Sequence, residues 1–251
     1  MRLDHWREYL AEAVAIGLFM MSAATFAVLL EHPASPARIA LSSPFLRRAL
    51  MGVAMGLTAA AIIYSPLGAR SGAHMNPSVT LAYLRLGRIR RGDAAAYIGA
   101  QCGGALLGTW LAAILLGAMF SDPPVNFVRT LPGPAGVGPA IAGELVISFL
   151  TLSILLAVSA QPATMRATGL VAGGIVLLNI VFEAPLSGMS MNPARSLGPA
   201  LVAGNFSYLW LYLVVPPAGM LLAAELHRAL ATPGCAKLNH SARVRCIFCE
   251  A

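Results

Sequence analysis

Charge is what this chain has least of. Lys, Arg, Asp and Glu together make up 11% of its 251 residues, where a soluble domain carries about 25%, so a soluble globular fold is excluded. Lysine is nearly absent: Lys237 is the only one among 17 basic residues, a bias that suggests a GC-rich, bacterial coding sequence and hence the bacterial inner membrane. The three aspartates, Asp4, Asp93 and Asp122, fall near the ends of apolar runs. No aspartate pair is therefore expected inside a membrane, and neither G-x-S-x-G nor H-E-x-x-H occurs. The common membrane-hydrolase signatures are missing, and no enzymatic activity is expected. Cysteine is limited to four residues. Cys102 sits inside an apolar run as a small core residue, while Cys235, Cys246 and Cys249 fall in a polar tail where a reducing compartment argues against a structural disulfide. The net charge of +7 comes from residues that flank apolar runs, so nucleic acid is not an expected partner.

What the chain has in excess is apolar length. Hydrophobic residues make up 58% of it, and several runs reach the roughly 20 residues needed to cross about 30 Å of hydrocarbon. Spans are predicted near 10–30, 49–68, 93–119, 138–160, 167–184 and 206–227, with shorter helices near 76–86 and 192–202 that are too short to cross alone. The first run contains Glu12, exceeds the usual signal-peptide core and lacks a small-x-small cleavage site before the Glu31-His-Pro break; it is a span rather than a leader. With both termini inside, Arg2, Arg7, Arg70, Arg85, Arg88, Arg90, Arg91, Arg166, Arg228, Lys237, Arg243 and Arg245 fall on the inner side. Arg38, Arg47, Arg48, Arg129 and Arg195 fall on the outer side. The excess agrees with the positive-inside rule, although Arg38, Arg47 and Arg48 run against it.

Two octapeptides then stand out, SGAHMNPS at 71–78 and SGMSMNPA at 187–194. Asn is a strong helix N-cap and Pro favours the first helical position, so Asn76-Pro77-Ser78 and Asn192-Pro193-Ala194 each start a short helix from an irregular approach loop. Such a loop at membrane depth is tolerated only where protein buries it or where it lines a watery cavity. The halves match elsewhere too. Glu12 and Glu144 each stand near the start of an otherwise apolar helix, and the Pro/Gly-rich stretch 121–139 separates the copies. Three spans per half put the second half on the opposite side of the membrane, so the repeat is inverted. The predicted fold class is therefore an all-α membrane protein with six transmembrane helices and two re-entrant half-helices in an inverted three-plus-three repeat. Residues 1–119 form the first repeat, 120–137 the connecting loop, 138–230 the second repeat and 231–251 a loosely ordered cytoplasmic tail. Gly pairs four apart (Gly52/Gly56, Gly99/Gly103, Gly104/Gly108, Gly169/Gly173) suit close helix packing in lipid.

The two Asn-Pro boxes, Arg195 three residues after Asn192, the paired glutamates, Gln101 in the third span and the inverted layout resemble the aquaporin, or major intrinsic protein, family over residues 5 to 230. The first box departs from the family's usual alanine at Ser78. The resemblance implies a passive pore for water and small neutral solutes, with no cofactor and a homotetrameric assembly in the lipid bilayer. It implies that Asn76 and Asn192 use their carbonyl oxygens as caps and aim both amide hydrogens at one point in mid-membrane. There two half-helix N-termini, each carrying roughly +0.5 charge, would admit water and turn cations away. It places Arg195 at the outer constriction, with Ile180 and Met189 and, from the second span, either Met55 or Gly56. It gives Glu12 and Glu144 the task of holding the two loops, with His74 as loop support. Ser196 follows the arginine where glycerol-conducting members carry Asp, while the histidine-free, apolar ring favours solutes with methylene groups, so glycerol or urea stays open beside water. The alternatives are a proton-coupled transporter using Glu12, Glu144 and Glu183, and a closed structural member of the family. In the tail, Cys235, His240, Cys246 and Cys249 contain one C-x-x-C and form a weak zinc-type set.

Overall fold

The computed structural model describes residues 5–230, 237–239 and 248. Among these, six helices are long and apolar enough to cross a membrane: α1 (Trp6–Glu31), α2 (Pro44–Tyr64), α4 (Arg91–Leu116), α5 (Val137–Ala160), α6 (Thr168–Phe182, whose span Met165–Phe182 includes the 3-10 turn Met165–Ala167) and α8 (Leu209–Ala229). The half-helices are α3 (Pro77–Arg85) and α7 (Pro193–Val202). The second span sits several residues earlier than the sequence suggested. Pro44 occupies its first turn behind a Ser43 cap whose side chain accepts from the Leu46 N–H. At the other end Pro66 forces Ser65 out of the helical region (ψ 167°), so α2 stops at Tyr64 and a separate short helix, Pro66–Ser71, begins. The exterior is studded with Leu18, Leu57, Leu115, Leu150, Leu178, Phe182 and Val214, all well exposed. With six such spans this is the outer surface of an integral membrane protein.

The two halves are built alike. In the first, α1 packs along α4, and in the second α5 packs along α8; α2 meets α6 across the halves. Each half-helix leaves its own half, α7 lying on α4 and α3 on α8. This exchange carries both Asn-Pro boxes into the centre.

Glycine permits the closest approaches. A Cβ on Gly104 would stand 2.1 Å from the Ala13 carbonyl oxygen, and one on Gly108 2.4 Å from that of Gly17, so α1 and α4 meet backbone to backbone. Gly56 and Gly173 do the same between α2 and α6, each Cβ position falling within 2.6 Å of the other's carbonyl oxygen. Gly99 and Gly103, by contrast, have nothing within 4 Å of an added Cβ, so that pair makes no close contact with another helix among the described residues of the subunit. Replacing Gly104 by Leu is expected to destabilise the detergent-solubilised protein by about 3 kcal/mol or more, because backbone cannot yield as a side chain does. Gly103→Ala is expected to leave its thermal unfolding midpoint unchanged.

Candidate functional site

Both boxes act as caps. The Asn76 side-chain oxygen accepts from the Ser78 N–H at 2.8 Å, and that of Asn192 accepts from Ala194 and Arg195 at 3.0 and 3.3 Å. The amide nitrogens do something that the sequence reading missed. Asn76 Nδ2 donates to the Met191 carbonyl at 2.7 Å, and Asn192 Nδ2 donates to the Met75 carbonyl at the same distance. Each asparagine thus ties the tip of one half-helix to the approach loop of the other. One hydrogen of each amide is used in this way, which leaves one rather than two for the lumen.

The approach loops match atom for atom. Each short helix before them, Pro66–Ser71 or Ala184–Ser187, ends on a left-handed glycine, Gly72 (φ 83°) or Gly188 (φ 81°). Ala73 and Met75 in one loop, and Met189 and Met191 in the other, also have positive φ between 48° and 58°. Non-glycine residues there cost about 1–3 kcal/mol each, and buried carboxylates offset it. Glu12 Oε1 accepts from the His74 N–H at 3.0 Å and Oε2 from that of Met75 at 2.6 Å, with Gln101 Nε2 at 2.7 Å as a third donor. Glu144 Oε1 accepts from the Ser190 N–H at 2.5 Å and Ser187 Oγ at 2.8 Å, and Oε2 from the Met191 N–H at 2.8 Å. Both glutamates are fully buried. Two tyrosines that the sequence reading passed over complete the frame: Tyr97 donates to the Ser71 carbonyl at 2.8 Å and Tyr212 to the Ser187 carbonyl at 2.6 Å. Their signal was available, since each lies near the start of the third span of its half.

A cavity of about 470 Å³ runs past the clasped tips. At one end it is bordered by Glu31, Arg47 and Arg48, next by Arg195, Ile180, Met189 and Met55, then by Asn76 and Asn192, and at the other end by His74, Ile63 and Leu238. Of the two neighbouring second-span candidates, Met55 borders the cavity, whereas Gly56 faces Gly173 in the α2–α6 contact. Arg195 Nη1 donates to the Val128 carbonyl at 3.0 Å and to Thr130 Oγ1 at 2.6 Å, so the 120–137 loop sets where its guanidinium stands. Ser196, the position of interest for solute choice, hydrogen-bonds to Thr130 and Ser190 through its hydroxyl. His74 stacks on Tyr83 with centroids 4.8 Å apart, and its Nδ1 is 3.1 Å from Thr80 Oγ1.

Two further arginines, which composition marked only as misplaced charge, stand at the far mouth. Arg47 donates to both Glu31 oxygens and to the Leu41 and Ser42 carbonyls; Arg48 Nε donates to the Val181 carbonyl at 2.9 Å, in the last turn of α6. Among the described residues no group of three His, Cys, Asp or Glu side chains could hold a metal. Cys235, His240, Cys246 and Cys249 lie outside the described residues.

A family model described as Major intrinsic protein matches residues 1–227. The chain belongs to that family. Among the relatives of this major intrinsic protein, a probable aquaporin NIP4-2 of Arabidopsis thaliana is 40% identical over 169 residues, covering 67% of this chain and 58% of the relative. Aquaporin NIP1-4 of Oryza sativa subsp. japonica is 37% identical over 185 residues, 73% of this chain and 66% of the relative. The matched region thus spans less than two thirds of either relative. Both come from plants, which leaves the bacterial inner membrane expected from the arginine bias without support. The X-ray structure of the aquaglyceroporin from Plasmodium falciparum superposes with a TM-score of 0.76 at 20% identity, covering 91% of this chain and 97% of the other; it shares the fold.

The matched anchors give a symmetric expectation. Glu12→Gln and Glu144→Gln each turn an amide N–H₂ or a lone acceptor toward backbone N–H groups that now meet a carboxylate. Each is expected to lower unfolding stability by about 2–3 kcal/mol, by similar amounts, read as the thermal midpoint of the purified protein. A loss confined to one of them would break the equivalence of the loops.

Proposed function

We propose that this chain is a passive channel for water and small uncharged solutes of the glycerol or urea class, and that it excludes ions and protons. The observation that carries this is the pair of clasped Asn-Pro tips bordering one cavity. Two half-helix N-termini meet there, each worth roughly +0.5 charge at close range, in surroundings where water does not screen them. One amide hydrogen from each asparagine can hold a passing oxygen, while a cation meets like charge. Arg195, Ile180, Met189 and Met55 form the outer constriction, with Arg195 as donor and repellent and the other three as an apolar wall for methylene groups. Arg48 extends the positive field to the mouth, where Arg47 is paired with Glu31. The names of the plant relatives, aquaporins, support the same reading.

Both termini face the cytoplasm by the balance of basic residues, and the chain assembles as a homotetramer with one lumen per subunit. Proton coupling is disfavoured on physical grounds. Glu12 and Glu144 are each occupied by three donors, and Glu183 packs against Gly143 instead of bordering the cavity. A carboxylate held by three donors, as those of Glu12 and Glu144 are, is an anchor and not a carrier.

Osmotic shrinkage of vesicles containing the protein tests the proposal. Water flux is expected to exceed that of empty vesicles and to be independent of a pH gradient; flux equal to empty vesicles would refute it. Arg195→Val is expected to admit small cations while water flux is kept. Unchanged cation exclusion would remove Arg195 from the filter.

A further inference from the structure

Of the described tail residues, Lys237, Leu238 and Asn239 are buried against the bundle and Phe248 is partly buried. Lys237, Leu238 and Asn239 are each less than 9% exposed. The Leu238 N–H donates to the Gly72 carbonyl at 2.8 Å, and Asn239 Nδ2 donates to the Ile63 carbonyl at 2.7 Å. Both acceptors sit at helix C-termini, Ile63 in the last turn of α2 and Gly72 as the cap of Pro66–Ser71. These are the carbonyls that a helix end leaves without an internal partner. Farther along, the Phe248 ring stacks on His74 with centroids 4.9 Å apart and an angle of 19°, and meets Tyr97 edge to face at 6.0 Å.

Both tail segments converge on one residue. A Cβ on Gly72 would lie 2.6 Å from the Phe248 ring and 3.0 Å from Lys237 Cβ, so only glycine leaves room for them. Leu238 itself borders the end of the cavity, beside Ile63 and His74.

We propose that the termini-side mouth is a docking surface for the stretch Lys237–Asn239 and for Phe248 of the chain's own tail, and that Leu238, which borders the cavity, obstructs the lumen when seated while Phe248 holds it there by stacking on His74. The proposal rests on the channel reading above. The occupant is specified by complementary pieces: two orphan carbonyls for an N–H and an amide, a bare glycine for an aromatic ring, and a histidine face for stacking. The His74 ring so covered belongs to the loop that Glu12 anchors, so the seated tail rests on the pore's own scaffold. Flux then depends on how often the tail is unseated.

The test is water flux through vesicles holding the full-length chain at matched protein content. Three proteins are compared: wild type, the double variant Leu238→Ala with Phe248→Ala, and Asn239→Asp. The last is nearly isosteric and replaces the donor to Ile63 with an acceptor, and all three positions follow α8, outside the bundle. If the mouth is occupied about nine-tenths of the time, freeing it raises flux about tenfold. Both variants are expected to rise, and a synthetic peptide of residues 231–251, present on both sides of the membrane, is expected to return the double variant toward wild type. Wild-type flux above empty vesicles with both variants equal to it would overturn the tail gate and leave the channel standing. No flux from any of the three would end the channel reading and the gate with it.

Discussion

Two hydrogen bonds hold the centre of this molecule together. Asn76 reaches the Met191 carbonyl and Asn192 reaches the Met75 carbonyl, each across the midplane. Each asparagine spends its oxygen on its own helix and one amide hydrogen on the other half's loop. The tips of α3 and α7 are therefore fixed to each other through side chains, at a depth where irregular backbone is tolerated only when protein buries it or when it lines a watery cavity. The cavity, the position of Arg195 and the close passage of both loops follow from that constraint.

The loops themselves are unfavourable backbone. Four non-glycine residues with positive φ would not persist without compensation. It comes from outside the loops, in a form repeated in each half: one buried glutamate receives two consecutive N–H groups, and one buried tyrosine donates to the serine carbonyl before the glycine. The arrangement explains why isolated charge is tolerated deep in an apolar bundle. A carboxylate with several donors is satisfied, and its geometry dictates the loop.

Much of this was legible in the sequence. The six spans and two half-helices follow from apolar length and from the Asn-Pro signal, and the glutamates from their rarity. The second span's start was obscured because apolar length alone ignores the Ser43-Pro44 cap and the Ser65-Pro66 break. The cross-ties were hidden for a different reason. They depend on the exchange of half-helices between the two halves, a long-range fact that no local pattern encodes. The choice between Met55 and Gly56 was of the same kind, since adjacent helical residues point about 100° apart and only the α2–α6 contact decides which one faces inward. The tail lay beyond reach because its binding partners are carbonyls, which every residue possesses.

The clasp is most directly tested by a double-mutant cycle on unfolding stability with Asn76→Ala and Asn192→Ala. If the two ties form one unit, breaking either loosens both loops, and the second substitution costs less than it does alone, with a coupling on the order of 1 kcal/mol or more. Strict additivity would mean that the two asparagines cap their helices independently and that the tips are not joined.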